Sequence, residues 1–342
     1  MSSYNDIKAL NQSTLKKILI SPKEYLKAKE KQENGEQSIA PHFVFGSVVD
    51  IMLTGDKNEF DEKFAKIPDE SKCSEAVKAI VEAVFAEMSA LGGDKVVVDR
   101  GVILRHCNEA KYYNNWKDDT RVDKILADGK DYFELLKTAA GKTTITESEY
   151  AKAISCVMAL KSDEFTKRYV DKKHDKDTEF WDKFIIEFNF KGFDIKGELD
   201  RVCVNHIDKT ITPIDFKTTG KPITGFEYEF FTYRYDFQAT VYSWGLLQHP
   251  KVKELLGNGY TMADFLYIVV ETNLQNDPMI FEVGEEVMTI GFHGGTLPSG
   301  KKLEGFISAL DRLQYALDNN AWKFPMEYYL NKGKLNIGIW GV

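Results

Sequence analysis

The chain has 342 residues and a formal net charge of −8, which excludes a protein that coats nucleic acid through overall basicity. A local basic groove or bound metal ions could still admit an anionic partner. With 43% hydrophobic residues the chain can bury a sizeable core. No window approaches the roughly 18 uninterrupted apolar residues of a membrane span, and the start, MSSYNDIKAL, has no signal-peptide apolar region. The reading is a soluble, intracellular, cytoplasmic protein with no membrane partner. Cys73, Cys107, Cys156 and Cys203 show no CxxC spacing and read as reduced thiols, not zinc ligands or a disulfide frame.

In chain order, Asn11-Gln-Ser-Thr predicts a helix with Ser13 as N-cap before Leu15, Ile18 and Leu19. Ser21-Pro22 breaks it and opens a second helix carrying Tyr25 and Leu26. The pair reads as a helical hairpin on the core or, through Lys16, Lys17, Lys23 and Lys27, as the flank of a nucleic-acid entrance. Residues 30–40 read as loop. His42 to Thr54 predicts a buried helix in which Gly46 lets a neighbour approach and Asp50 needs a partner, whether a salt bridge, a cap or a metal ion. Residues 56–69 read as polar connection. Residues 74–91 read as a helix with Val77, Ile80, Val81 and Val84 on one face, ended by Gly92-Gly93. A short strand at 95–98 and a helix at 102–110 follow. The aromatics of KYYNNW read as core or loop anchors before they read as a base-stacking platform. Thr146 and Glu149 form a capping-box pattern for a helix to Leu160, and the mixed-charge run 162–183 reads as solvated helix and loop.

From Trp181 the apolar period becomes two, with Phe184, Ile186, Phe188 and Phe190 on one face of a strand. Strands at 195–204 and 210–218 follow, joined by a polar turn at 205–209. Alternate residues of a strand share a face, so Asp215 and Lys217 point together, and Asp200 joins them if the two strands pair. Glu198 shares the face of Asp200, and Glu187 lies in the first strand, so both remain open as further acids. Two carboxylates and an ammonium are costly to bury without partners. A hard divalent cation on the aspartates, with the lysine beside an attacking water, would satisfy all three charges, and that is phosphodiester chemistry. An ion-pair network in an unrelated metal-binding or structural protein is the alternative.

Residues 221–235 read as loop and short helix, and 236–248 as a helix with Gln238 and Tyr242 four apart on one face. Residues 264–271 read as a strand buried on both faces, with 279–283 beside it. A loop at 293–302, a last helix at 303–319 and an aromatic tail complete the chain. This order predicts an α/β (α+β) fold, a mixed sheet flanked by helices with a helical N-terminal elaboration. It reads as one domain over 1–342, with the elaboration at 1–180, the meander and helix core at 181–325 and the tail at 326–342.

Asp200 followed by Asp215-Phe216-Lys217, with Pro213-Ile214 just before, resembles the signature of the PD-(D/E)XK nucleases. Gln238 and Tyr242 in FQATVYSWGL resemble the QxxxY element of the RecB-like branch. LNQSTLKKILISPKEYLKAK and the KYYNNWKDDTRVDKIL block are similar to the RecE-type exonucleases of phages and prophages. The resemblance covers roughly Leu10 to Trp322. In FGSVVDIML, Asp50 stands where such enzymes often carry a metal-binding histidine. The resemblance implies a restriction-endonuclease-like core with Asp50, Asp200, Asp215 and the carbonyl of Phe216 as ligands for Mg²⁺, Mn²⁺ substituting. It ranks Asp200 above Glu198. Lys217 would orient and deprotonate the attacking water, its ammonium pushed toward the neutral form by the cations. Gln238 would bond the scissile phosphate or the lysine, and Tyr242 the terminal nucleotide. The implied activity is digestion of double-stranded DNA ends, 5′ to 3′, in phage-type recombination in a bacterial host cell. A single-strand-annealing recombinase as partner and a ring-shaped homo-oligomer are implied likewise. An inactive DNA-binding or assembly module of the same fold, or an endonuclease with the same triad, are the alternatives within the family.

Overall fold

The computed structural model describes residues 4–34, 41–56, 58–69, 73–90, 99–139, 142–171 and 177–335. The chain divides into two compact units, Met1–Gly55 with Ile154–Val342, and Asp56–Ala153. The first 55 residues, Asp50 among them, thus belong with the sheet.

The first unit opens with helices α1 (Pro22–Glu33) and α2 (Pro41–Thr54). Ser21 caps α1, its Oγ accepting the Glu24 N–H at 3.1 Å, and Pro22 sits in the first turn, where a missing N–H costs nothing. Leu15, Ile18 and Tyr25 are buried in the main core, so the N-terminal hairpin packs as the apolar spacing predicts. A seven-stranded mixed sheet follows. Strands β1 (Thr178–Phe190) and β2 (Phe193–Asn205) form a long antiparallel hairpin. Lys191 and Gly192, both at positive φ (51° and 84°), make a two-residue turn whose twist matches the strands. Strand β3 (Thr210–Thr219) returns antiparallel to β2. Its turn is held by Asn205, whose Oδ1 accepts the N–H groups of Ile207 and Asp208 at 2.9 Å each.

Strand β4 (Phe265–Glu271) lies parallel to β3, with Asp215 opposite Tyr267, and β5 (Met279–Val283) lies antiparallel to β4. Parallel neighbours require a crossover, which here carries α3 (Phe226–Thr232) and α4 (Tyr235–Gln248). Helix α4 is buried on nearly every side, as an all-round core helix should be. Two glycines let it approach. A Cβ at Gly197 would lie 2.7 Å from the Tyr242 ring, and one at Gly245 would run into Ile186 and Phe188. Helices α5 (Glu285–His293) and α6 (Phe306–Asn319) complete the layer. Phe237, Phe265 and Phe306 are shielded from solvent in this core, each stabilising the fold by roughly 1.5–3 kcal/mol.

The second unit packs helices Glu75–Ala90, Arg100–Glu109, Asp118–Asp128 and Lys130–Thr138 around Val77, Ile80, Val81, Ile103, Val122 and Ile125. The capping box forms as predicted: the Glu149 N–H donates to Thr146 Oγ1, and Glu149 Oε2 accepts the Thr146 N–H, both at 3.2 Å.

Several local expectations are corrected. The N-cap of the first helix is Asn11, not Ser13. Its Oδ1 accepts the Thr14 N–H at 2.7 Å, and the Ser13 hydroxyl donates to the same oxygen. Helix α1 runs on to Glu33 because its lysines and glutamates are good helix formers. Residues 56–69 hold a short helix, Glu59–Lys63, and a strand, Phe64–Ile67, paired with Thr143–Thr146. Strand β1 starts at Thr178, inside the charged run, because pairing with β2 overrides local polarity. The 293–302 loop carries a small ribbon, Gly295–Thr296 with Lys302–Leu303, and Met326–Leu330 follows α6 as a further helix. The strand expected at 95–98, the helix stop at Gly92-Gly93 and the end of the tail lie outside the described residues. The four cysteines are buried and form no disulfide among the described residues. Among the described residues no helix is long and apolar enough to cross a membrane.

Candidate active site

The β2–β3 ladder runs from Asn205 with Thr210 as far as Arg201 with Ile214. One residue further on, the Asp200 carboxylate takes the place of a backbone partner: its Oδ2 accepts the Phe216 N–H at 2.8 Å. The side chain thus joins the strands where their pairing ends and holds itself beside Asp215. Pro213 falls between the stretch of β3 paired with Thr261–Met262 and the stretch paired with β4, where a missing N–H is least costly to the ladder. Asp200, Asp215 and Lys217 are therefore brought together across the hairpin, as alternation requires.

Asp215 is 2% exposed. Its Oδ1 accepts a 2.6 Å hydrogen bond from Gln238 Nε2. Its Oδ2 is sealed from solvent without a hydrogen bond and meets the Lys217 ammonium as an ion pair. Burial raises the carboxyl to about 7; Lys217 pulls against that shift and Asp200 adds to it. Burial works against the charge of Lys217, but Asp215, Tyr235 and Asp200 outweigh it and hold the ammonium above its ordinary value. Beside these two carboxylates and without a cation the lysine carries a positive charge. Its Nζ lies 5.0 Å from the Tyr235 ring centre and 5.7 Å from that of Tyr267.

Gln238 Nε2 bonds Asp215. Tyr267, missed from sequence, sits behind it: its hydroxyl donates to the Tyr235 carbonyl at 2.9 Å and lies 3.5 Å from Gln238 Oε1. The available signal was a lone hydroxyl in an apolar strand buried on both faces, since such a tip must find a partner. Tyr242 is buried against Gly197 and tilted on Phe265. Burial first, then Tyr4, Asp215 and Asp200, push its hydroxyl well above its ordinary pKa. The ring closes the wall behind the carboxylates and is not presented for stacking.

Asp50 lies on α2, where a Cβ at Gly46 would stand 3.4 Å from Thr218 Oγ1 of β3, the close approach that glycine predicts. Its Oδ2 is paired with Lys183 and its Oδ1 accepts from the Thr54 hydroxyl at 3.0 Å. Lys183 stands across the β1–β2 hairpin from Asp200 with φ 49°, an irregularity that re-aims its side chain toward the site. It was not singled out from sequence, where it sat in a charge run. Arg201 turns to the opposite face from Asp200. Fully buried, it bonds Asp182 at 2.6 Å and the carbonyls of Leu53 and Tyr169 at 2.7 Å each, which fixes the end of α2. Glu187 is exposed on β1 opposite Lys196, and Glu198 is partly buried on β2.

Among the described residues no three His, Cys, Asp or Glu side chains form a set that would hold a metal ion. The pair Asp200 and Asp215 nonetheless offers the oxygen donors that hard cations prefer. The unsatisfied Oδ2 of Asp215 and the raised pKa of its carboxyl are what a bound cation would relieve. The donor set fits a divalent cation that shares or replaces the contact with Lys217.

Against known proteins, the profile of the PD-(D/E)XK nuclease superfamily matches residues 9–289. A solved structure from Eubacterium rectale, described as a candidate exonuclease, is 12% identical, with 82% of this chain and 85% of that chain covered at a TM-score of 0.31. No curated protein matches the chain. The mixed sheet flanked by helices is the architecture of the matched family. A match over most of the chain means that the protein belongs to the PD-(D/E)XK nuclease superfamily, whose members are in general nucleases that use divalent metals such as Mg²⁺ or Mn²⁺.

Proposed function

We propose that the chain is a Mg²⁺-dependent exonuclease of the RecE-like type, degrading linear double-stranded DNA from its ends in the 5′ to 3′ direction. The observation that carries this reading is a buried Asp215, with Lys217 on its second oxygen and Asp200 beside it, at the point where β2 and β3 cease to pair. A purely structural ion pair gains nothing from a second carboxylate, Asp200, set against the buried Asp215.

Asp200, Asp215 and the carbonyl of Phe216 are the proposed ligands. A bound divalent cation would polarise the scissile phosphate and make water a stronger acid. The Phe216 N–H holds Asp200 by one oxygen and leaves the other for the ion. Gln238 fixes the rotation of Asp215. Lys217 places a positive charge where negative charge grows on the phosphate, and a preorganised charge in a shielded site acts there at full strength. Asp50 joins the ligands if DNA phosphates draw Lys183 away from it. A cytoplasmic setting, a role in phage-type recombination, an annealing partner and a homo-oligomer belong to this same proposal.

The pairing of Asp50 with Lys183 favours one second reading, an inactive relative that only binds DNA. Purified protein incubated with end-labelled linear duplex and with closed circular DNA, with and without Mg²⁺, tests both. Metal-dependent loss of the linear duplex alone is expected. Binding without hydrolysis would select the second reading, and equal cutting of circles would select an endonuclease.

A further inference from the structure

Lys16 lies in the single turn Lys16–Leu19, anchored by Leu15 and Ile18 in the core. Its ammonium donates to the Tyr233 carbonyl at 3.0 Å, and no carboxylate among the described residues comes within ion-pair distance of it. Burial first, then Lys17, Lys217 and Arg234, lower its pKa to about 8, with Asp236 working the other way. Lys16 is thus tied to Tyr233, whose neighbour Tyr235 carries the ring that the Lys217 ammonium faces.

Arg234 is held there at some conformational cost. Its φ of 60° is left-handed. Its guanidinium is clamped by the fully buried Asp236 at 3.0 Å and by the Glu304 carbonyl at 2.5 Å. The same turn leaves the Tyr233 ring 50% exposed, 5.8 Å from the Tyr235 ring that Lys217 faces. Arg234 and Lys217 have carboxylate partners, whereas Lys16 has only a carbonyl, and an anion carrying a planar group would pair with it beside the exposed ring. Lys17 also lines a groove of about 1350 Å³ with Lys8, Lys29, Lys31 and Lys196, alongside Asp6, Glu33 and Asp194.

We propose that Lys16, supported by Arg234, binds a backbone phosphate of the DNA strand next to the phosphate being hydrolysed, with the adjoining base against Tyr233. The assignment rests on the nuclease reading and adds to it a substrate subsite built by the N-terminal segment.

The test is equilibrium binding of a fluorescent linear duplex with Ca²⁺ in place of Mg²⁺, together with a scan in which single phosphates are replaced by neutral methylphosphonates. Lys16→Gln should weaken binding about tenfold and make the salt dependence shallower by about one unit of slope, while Lys16→Arg restores both. In the wild type, one methylphosphonate away from the scissile position should cost about tenfold, and in Lys16→Gln the same replacement should cost almost nothing. Equal penalties in the two proteins, or an unchanged salt slope, would overturn the subsite while wild-type cleavage keeps the nuclease reading standing. Wild-type protein that neither binds nor cuts duplex would overturn both. Should Lys16→Gln not fold, the wild-type scan still decides, because a profile with no sensitive position beyond the scissile phosphate rejects the subsite.

Discussion

Asp215 and Glu271 lie on neighbouring paired strands and are both hidden from solvent, yet their surroundings drive them in opposite directions. Glu271 accepts from the Ile223 N–H at 2.6 Å, from Asn276 Nδ2 at 2.7 Å and from the Asn276 N–H at 3.2 Å. The Ile223 bond leads in holding its carboxyl below the usual range. Asp215 has one neutral side-chain donor, Gln238, and only the Lys217 ammonium on its other oxygen, and its carboxyl is raised. Burial alone therefore does not separate structure from chemistry in this sheet; the supply of donors does. Arg201 belongs with Glu271: it too is buried, and its donors are spent on Asp182 and the carbonyls of three residues.

The largest effect should come from replacing Asp215. Asp215→Ala is expected to lower cleavage on the order of a thousandfold or more with the fold retained, measured on end-labelled duplex beside a denaturant melt. The comparison sharpens with pH. The folded pKa of Asp215, about 7, lies above its unfolded value. Its contribution to stability is thus complete below the unfolded pKa and lost as pH rises through about 7. Glu271, held low, contributes above its unfolded pKa and loses that contribution as pH falls through its folded one. In EDTA, Asp215→Asn should remove the decline on the neutral side and Glu271→Gln part of the decline on the acid side. Parallel profiles for the two variants would erase the distinction.

Arg201→Met comes next. It strips Asp182 and the carbonyls of Leu53, Tyr169 and Val170 of their donor, and should cost about 3–5 kcal/mol of stability by urea titration. A loss below about 1 kcal/mol would show that this network is not the brace of α2. The smallest effects should separate the two residues of α4. Gln238→Ala frees Asp215 to rotate and should lower kcat roughly tenfold, about the worth of one charge-assisted hydrogen bond. Tyr242→Phe keeps the packing on Gly197 and should change kcat by less than about threefold. A Tyr242→Phe defect equal to that of Gln238→Ala would give the hydroxyl a direct part in the reaction.

Local periodicity made much of this protein legible in its sequence. The backbone alone decides that residues two apart on a strand share a face, so Asp215 and Lys217 were bound to point together, and the Asn205 turn brought Asp200 to them. The buried strand at β4, the N-terminal hairpin and the Thr146 capping box were equally readable, because each rests on contacts within a few residues. Which partner each charged group would take was not readable. Asp50 met Lys183, 133 positions away, Gln238 turned to Asp215, and Lys16 reached the carbonyl of Tyr233, 217 positions on. Strand register and helix docking decide such pairings, and both arise from burial summed over the whole core. The same holds for the division at Gly55 and Ile154: no change of composition marks it, because it follows from which helices share a core.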